Sequence, residues 1–229
     1  MWKEEAAWIG EQIKTLNFHG DKVDCLNIGS STKEYRELIK PYIHELVIEP
    51  IEKLGKITNI DAKEASGVDI CGDLCDPNFR LKLSAKKYNL ILCNNVLTHV
   101  QNPDVIYDTI IDCLADRGFA IITAPTLYPY CADPYDSKYR PAKTDIENKL
   151  SLLKVLITRS FQSSETQLSR LAGNRRLLLA FLLNIFFPRR GLQIWRNTVS
   201  DLVILNKRFE SIGVVLQNIT SREIQSEPK

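Results

Sequence analysis

The strongest constraint on the fold is the alternation of short apolar runs with helically spaced segments over the first two-thirds of the chain. The runs are too short for isolated helices, and the continuous ones suit strands that are buried on both faces. Such alternation predicts right-handed crossovers and a mostly parallel sheet covered by helices on both sides. The predicted strands are Val23–Ile28, Ile57–Asp61, Val68–Leu74, Tyr88–Cys93 and Phe119–Ala124.

Polar side chains and turn-forming residues follow these predicted strands. In doubly wound sheets, ligands bind beyond the carboxyl ends of the strands. We therefore expect a binding site where the residues after different strands meet. The residues in question are Gly29–Ser31, Asp61, Asp73, Asn94, Asn95 and the segment 125–130.

Composition and charge exclude several classes of protein. The chain has 229 residues and 26.1 kDa, with 44% hydrophobic and 25% charged residues, which excludes disordered and fibrous proteins. The net charge of +2 is too balanced for a dedicated nucleic-acid-binding protein. The charge is nevertheless uneven, because residues 151–200 contain eight basic side chains and one acidic one. A basic late segment and an acidic front predict two different roles.

Six scattered cysteines and a charged start bear on metal binding and localisation. Cys71 and Cys75 are the only close pair, and no second pair or nearby histidine completes a zinc site. We therefore predict buried, reduced thiols and no metal. The first residues, MWKEEAAWIGEQ, lack the apolar core of a signal peptide, so a cytoplasmic location is expected, with peripheral membrane attachment left open.

The segment from Ser151 onward has a different character. Leu177–Phe187 is an apolar block with Arg175 and Arg176 before it and Arg189 and Arg190 after it. It is too short for a spanning helix, which needs about 20 apolar residues. Three interpretations stay open for 175–190: the core of an inserted cap, a helix in the membrane interface, or a homodimer surface. We predict a core at 1–150, a basic and apolar helical insertion at 151–197, and final strands with a tail at 198–229.

Five segments between about Val23 and Leu150 resemble a known family: LNIGSS, GVDICGDL, YNLILCNNVLTHVQNP, LADRGFAIITAP and YPYCADPYDSKYRP. In order and position they resemble the class I S-adenosylmethionine-dependent methyltransferases, specifically the small "type 11"-like proteins associated with polysaccharide and glycosyl-transfer pathways. The resemblance implies an α/β, Rossmann-like, doubly wound sheet with a helical cap inserted before the last strands. It also implies S-adenosylmethionine as cofactor and O-methylation of a small-molecule, sugar or glycolipid acceptor.

The glycine turn after the first strand departs from the family pattern. Asn27 stands where the family has an acid, Gly29 is the first glycine, and Ser31 and Lys33 replace the others. The resemblance implies that Gly29 and Ser31 face the methionine part of the cofactor, with Asn27 beside them. The alternative is an ordinary turn between a strand and a helix.

Acidic residues after the next two strands are candidates for contacts with the nucleoside. Asp61 ends its strand, where carboxylates bind ribose hydroxyls in nucleotide-binding sheets; Glu49 is the competing acid. The resemblance implies that Asp73 accepts from the adenine amino group and that the backbone of Leu74 meets the ring. The alternative for Asp73 or Asp76 is a helix N-cap before Pro77. Asn94 and Asn95 would lie near the sulfonium.

Three residues are candidate catalytic bases. His99 follows the fourth strand and can deprotonate a hydroxyl, or it can be a structural histidine bonded to a loop carbonyl. Asp133 and Asp136 lie in the loop after the fifth strand, where Arg140 can pair with either. Relatives often have histidine where this chain has Cys131. These departures leave a second hypothesis, a catalytically inactive binding or scaffold protein with the same fold.

Overall fold

The structure is a computed structural model that describes residues 1–20, 22–131, 135–187 and 191–219, with the backbone alone at 193 and 194. Seven strands form one sheet in the order β3-β2-β1-β4-β5-β7-β6. The first five strands pair in parallel, and β7 pairs antiparallel with both β5 and β6. The predicted fold class is confirmed. The strands are β1 Val23–Ile28, β2 Gly55–Asp61, β3 Ile70–Cys71, β4 Tyr88–Asn94, β5 Leu114–Leu127, β6 Lys154–Thr166 and β7 Arg208–Gln217.

Helices cover both faces of this sheet. Two π-helical segments at 35–39 and 44–48 and two 3-10 segments at 97–99 and 201–204 supplement the α-helices. None of the described helices is both long and apolar enough to cross a membrane. The α-helices are α1 Lys3–Thr15, α2 Pro41–Ile43, α3 Glu49–Leu54, α4 Pro77–Ser84, α5 Asp104–Cys113, α6 Lys143–Lys149, α7 Gln167–Ala172, α8 Arg175–Phe186 and α9 Leu192–Ser200.

The core lies on both sides of the sheet because successive strand residues point to opposite faces. Cys25 and Leu90 pack with the cluster that contains Ile9 of α1, whereas Leu26 and Ile91 pack with the cluster that contains α5. These four strand residues are fully buried. The predicted burial of these strands on two faces is therefore observed. Burial on both faces also explains why these strands have continuous apolar runs and not an alternation of apolar and polar residues.

The second half of the chain differs from the prediction in two places. Residues 154–166, which we assigned to a helical insertion, form the edge strand β6, and only 167–200 contribute the cap helices α7 to α9. The apolar run Leu202–Leu205, for which the sequence predicts a strand, lies instead in and directly after the 3-10 segment 201–204. Strand β6 exposes most of its side chains, so it lacks the apolar run that marks the inner strands.

Candidate cofactor and acceptor site

A cavity of about 430 Å³ opens at the carboxyl ends of β1, β2 and β4. This volume lies within the usual range of small-molecule sites, roughly 300–1,000 Å³. The parallel pairing of these strands brings their ends to one edge of the sheet. All eight residues that we predicted to contact the cofactor line this cavity: Asn27, Gly29, Ser31, Asp61, Asp73, Leu74, Asn94 and Asn95.

Gly29 allows the backbone of the turn to lie closer to Val96 than a residue with a Cβ would permit. Its φ of +67° lies in the left-handed region, and a Cβ built there would lie 2.3 Å from Cγ2 of Val96. Ser31 also has a positive φ, of 59°, and its amide donates to Oδ2 of Asp61 at 2.8 Å. The amide of Ser30 donates to the carbonyl of Ile60. The turn is therefore bonded to β2, and glycine is required only at its first position.

Arg36 stabilises this turn, and sequence reasoning missed it. Its guanidinium is buried and donates to the carbonyls of Ser30 and Ser31, both at 2.7 Å, and to the carbonyl of Gly67 at 2.8 Å. Burial lowers the pKa of Arg36, while nearby acids, first among them Glu37, raise it in part. Three carbonyls from two loops thus share one cation, which fixes the turn in the absence of the usual glycines.

Asn27 takes part in a polar chain beneath the cavity. Its amide donates to Oδ1 of Asn59 at 2.9 Å, and the backbone amide of Asn59 donates to Asp69 at 2.7 Å. Asn27 and Asn59 are both buried. The side-chain amide of Asn27 can donate a hydrogen bond to Oδ1 of Asn59, whereas a carboxylate at position 27 would place two acceptor oxygens against each other. The substitution of the family's acid therefore fits the neighbouring strand.

Asp61 lies at the cavity, whereas the competing acid, Glu49, is not among its lining residues. Asp61 ends β2 and lines the cavity, whereas Glu49 begins α3 and forms a 2.7 Å ion pair with Lys53. The two carboxylate oxygens of Asp61 accept from the amides of Ser31 and Lys63. Because each carboxylate oxygen can accept two hydrogen bonds, capacity remains for ligand hydroxyls.

Asp73 is not the cap of the following helix. Asp76 is the N-cap of α4, because its side chain accepts from the amide of Asn78 at 2.9 Å. Asp73 lies exposed at the cavity and accepts from the amide of Cys75, next to Leu74. Of the two candidates for the helix N-cap, Asp76 is therefore the cap, and Asp73 lies at the cavity instead.

A second cavity of about 170 Å³ adjoins the first, and the two share Asn95 and His99 in their walls. Asn95 has a φ of 59°, and its amide donates to the carbonyl of Thr123. Asn94 ends β4 and accepts from the Thr123 hydroxyl at 3.3 Å. The wall between the two cavities is thus anchored to β5. A reactant in the second cavity would meet one in the first at this wall.

Glu5 places a buried carboxylate in the second cavity, and sequence reasoning missed it. Glu5 is 1% exposed and accepts from the amide of Trp2 at 2.6 Å, from the Ser211 hydroxyl and from Asn95 Nδ2 at 3.4 Å. Two of these partners, Asn95 and Ser211, are 90 and 206 residues away along the chain. No local pattern in helix α1 distinguishes Glu5 from its neighbour Glu4.

His99 lies where the two cavities meet. Its Nδ1 is 2.7 Å from the carbonyl oxygen of Tyr135. Since a carbonyl only accepts, Nδ1 carries the hydrogen, and Nε2 is the basic atom of the neutral ring. The bond to a loop carbonyl that the structural alternative predicted is therefore present, and it leaves Nε2 of the neutral ring as the acceptor atom.

Asp136 is held by its own loop. Both oxygens bond to Arg140, at 3.0 and 2.8 Å, and the amides of Cys131 and Lys138 donate to it as well. Burial raises the pKa of Asp136, but the Arg140 hydrogen bonds and the two amides outweigh burial and lower it overall. This geometry argues for a structural role and against a general base. Asp133 lies outside the described residues.

The thiols divide into two groups, which corrects our prediction of buried cysteines. Cys25, Cys93 and Cys113 are buried, whereas Cys71, Cys75 and Cys131 are exposed, and all six are unbridged. Within the described ranges, no group of three or more histidine, cysteine or acidic side chains can hold a metal ion.

The apolar block is not the core of a cap. None of the twelve residues of α8, all of them described, is buried. Leu179 is 58% exposed and Phe186 71%. A cap core would bury these side chains, so the first of our three interpretations is wrong.

Comparison with known proteins identifies the family. Residues 25–171 match the model of the methyltransferase domain. The chain belongs to this family. A comparison with curated protein sequences gave no match.

Solved structures share the fold at low sequence identity. A coclaurine N-methyltransferase bound to N-methylheliamine and SAH is 12% identical, with a TM-score of 0.57 over 93% of this chain and 69% of that one. The [4+2]-cyclase SpnF is 14% identical, with a TM-score of 0.55 over 96% and 83%. An S-adenosylmethionine-dependent methyltransferase from Clostridium acetobutylicum is 11% identical, with a TM-score of 0.53 over 96% and 93%.

Proposed function

We propose that this methyltransferase-family protein uses S-adenosylmethionine to O-methylate a hydroxyl of a sugar or glycolipid acceptor. The observation that carries the proposal is the wall shared by two adjoining cavities, with His99 in it. The first cavity has the size and the polar groups for a nucleoside with an amino-acid tail. The second cavity is smaller and mixes polar groups with aromatic rings, as a polyol site requires.

The residues of the first cavity fit the cofactor. A Cβ at Gly29 would displace Val96, which lines the same cavity. Asp61 and Asp73 would accept from the ribose hydroxyls and the adenine amino group, and the backbone of Leu74 would meet the ring. Asn94 and Asn95 would lie near the sulfonium. When bound, the cofactor supplies an electrophilic methyl group on a sulfonium.

The protein's part in the reaction is to orient the acceptor and to move one proton. His99 would take the acceptor's hydroxyl proton at Nε2 as the acceptor oxygen receives the methyl group. The bond from Nδ1 to the Tyr135 carbonyl stabilises the positive charge that the ring acquires. Glu5 and Arg140 line the second cavity, and the buried Nε of Arg140 has no partner among the described residues. It is an available donor for an acceptor oxygen.

Calorimetry with S-adenosylmethionine and S-adenosylhomocysteine, followed by an acceptor screen, tests the proposal. We expect micromolar binding of both, lost in Asp73→Ala and kept in Asp76→Ala, which changes only the helix cap. With sugar and glycolipid acceptors, His99→Gln should lower kcat by about 10²–10⁴-fold. Methyl transfer to amines alone would contradict O-methylation.

One observation favours a second candidate, a binding or scaffold protein without turnover. The amides of Ser30 and Ser31 are bonded to β2 and are not offered to a ligand's carboxylate. The fold also serves a protein described as a [4+2]-cyclase, so the fold alone does not fix the reaction. No binding of either compound at millimolar concentration would favour this candidate over the enzyme.

A further inference from the structure

Helix α8 has a broad apolar surface that the described residues leave exposed. Six of its leucine and phenylalanine side chains are between 37% and 71% exposed; we call them the α8 surface. At 100° per residue they are spread over roughly 240° of the helix circumference. They are Leu177, Leu178, Leu179, Leu182, Leu183 and Phe186.

The shape of this surface distinguishes between its alternative partners. A protein partner buries one face of a helix, whereas lipid surrounds a helix on every exposed side. Apolar side chains over so much of a helix are normally buried in protein or in lipid, and none of the α8 side chains is buried by the part of the chain that the structure describes. Its 12 residues extend about 18 Å, less than the roughly 30 Å of a bilayer core, so α8 fits within one leaflet.

The charge around α8 is complementary to an anionic membrane. Between residues 167 and 200 the sequence contains six arginines and no acidic residue. Arg175 and Arg176 begin α8, are exposed, and form no ion pair with any carboxylate in the described ranges. Each basic residue near an anionic lipid surface strengthens binding several-fold. Apolar side chains with flanking arginines are the composition of helices that lie in the membrane interface.

The cap that carries α8 is bonded to the loop that borders the second cavity. The amide of Tyr130 donates to both carboxylate oxygens of Asp201, at 3.2 and 3.1 Å. Arg170 of α7 donates to the Tyr128 hydroxyl at 3.1 Å, and Tyr128 lines the second cavity. A membrane that binds α8 would therefore also fix the positions of Tyr128 and Tyr130 beside the second cavity.

We propose that α8 inserts into one leaflet of a membrane rich in anionic lipid, with Arg175 and Arg176 at the headgroups. This attachment goes beyond the methyl transfer proposed above and does not depend on it. A homodimer through the same surface is the competing outcome.

Flotation with vesicles tests the attachment on the whole protein without cofactor. Vesicles of phosphatidylcholine with phosphatidylglycerol should bind the wild type, and vesicles of phosphatidylcholine alone should bind it far more weakly. The variant Leu179→Ser/Phe186→Ser should lose at least roughly ten-fold in binding. Its control is Leu81→Ser/Leu152→Ser, which changes two side chains of comparable exposure, 72% and 70%, outside the cap.

The electrostatic part is tested by reversing charge. Arg175→Glu/Arg176→Glu should weaken binding to anionic vesicles by about 30-fold or more, whereas Lys14→Glu/Lys82→Glu, at exposed positions elsewhere, should change it little. Circular dichroism should show unchanged folding, because all these side chains are exposed. Absence of vesicle binding by the wild type overturns the proposal. So does sedimentation as a dimer that Leu179→Ser/Phe186→Ser abolishes while vesicle binding remains unaffected.

Discussion

Replacing Gly29 by alanine tests whether the contact with Val96 shapes the cofactor cavity. A Cβ at position 29 would lie 2.3 Å from Cγ2 of Val96, at a φ of +67°. An L-residue in the left-handed region costs roughly 1–2 kcal/mol, and an extra methyl group in a packed contact costs about 1–3 kcal/mol. We therefore expect Gly29→Ala to lower the free energy of unfolding by about 2–5 kcal/mol, measured by urea denaturation.

Two matched variants separate the backbone cost from the steric cost. Gly20→Ala has a φ of +105° with nothing within 4 Å of the new Cβ, so it reports the backbone cost alone. Val96→Ala removes Cγ1 and Cγ2, the atoms nearest to the new methyl group at position 29. The cycle of Gly29→Ala with Val96→Ala should therefore give a favourable coupling energy of about 1–2 kcal/mol at unchanged m-values.

The refuting result is specific. If the effects of Gly29→Ala and Val96→Ala add within about 0.5 kcal/mol, the steric contact does not decide the identity of residue 29. If Gly29→Ala costs no more than Gly20→Ala, the turn requires only its backbone conformation. In either case the argument that Gly29 keeps the cavity open would fail.

Two further predictions concern the thiols and the loop carboxylate. Iodoacetamide should label Cys71, Cys75 and Cys131 of the native protein and spare Cys93, whose pKa burial raises to about 12. S-adenosylhomocysteine should slow labelling at Cys75, which lines the first cavity, and not at Cys71; peptide mass spectrometry showing equal protection would contradict the assigned cavity. Asp136→Asn should lower the free energy of unfolding by about 3–5 kcal/mol near neutral pH, since it removes one partner of a buried pair. Because the pKa of Asp136 is lowered in the folded protein, this stabilisation is present above the ordinary aspartate pKa of about 3.9 and is lost as the pH falls through the folded value. A stability difference between Asp136→Asn and wild type that does not depend on pH would contradict this prediction.

The inner sheet and the edge where ligands bind could be predicted from local patterns. Strands that are buried on both faces produce continuous apolar runs, and the ends of those runs point to the binding edge. Asp61 and Asp73 were found in this way. Strand β6 was not, because an edge strand whose side chains are mostly exposed has no such run; Phe161 is its one buried side chain among the described residues. Its place in the sheet depends on pairing with β7, which is about 50 residues away along the chain.

Glu5 and Arg36 could not be predicted, for a different reason. Their function depends on partners that only the folded chain brings close. Glu5 meets Ser211 of β7, and Arg36 meets the carbonyl of Gly67 on another loop. Acidic residues and arginines are solvent-exposed in most helices, even when apolar residues stand next to them in the sequence. Burial of either charge becomes evident only when three hydrogen-bond partners are seen together.

The exposed helix and the acceptor cavity constrain each other. If α8 lies in a leaflet, Tyr128 and Tyr130 are held near the membrane surface, because Arg170 donates to the Tyr128 hydroxyl and the Tyr130 amide donates to Asp201. An acceptor with a lipid anchor would then reach the second cavity without leaving the membrane, and a soluble sugar would gain nothing from the attachment. Vesicle-bound glycolipid should therefore lose turnover in Leu179→Ser/Phe186→Ser, whereas a soluble acceptor should not. The two proposals can fail separately, since vesicle binding is measured without cofactor and cofactor binding without vesicles.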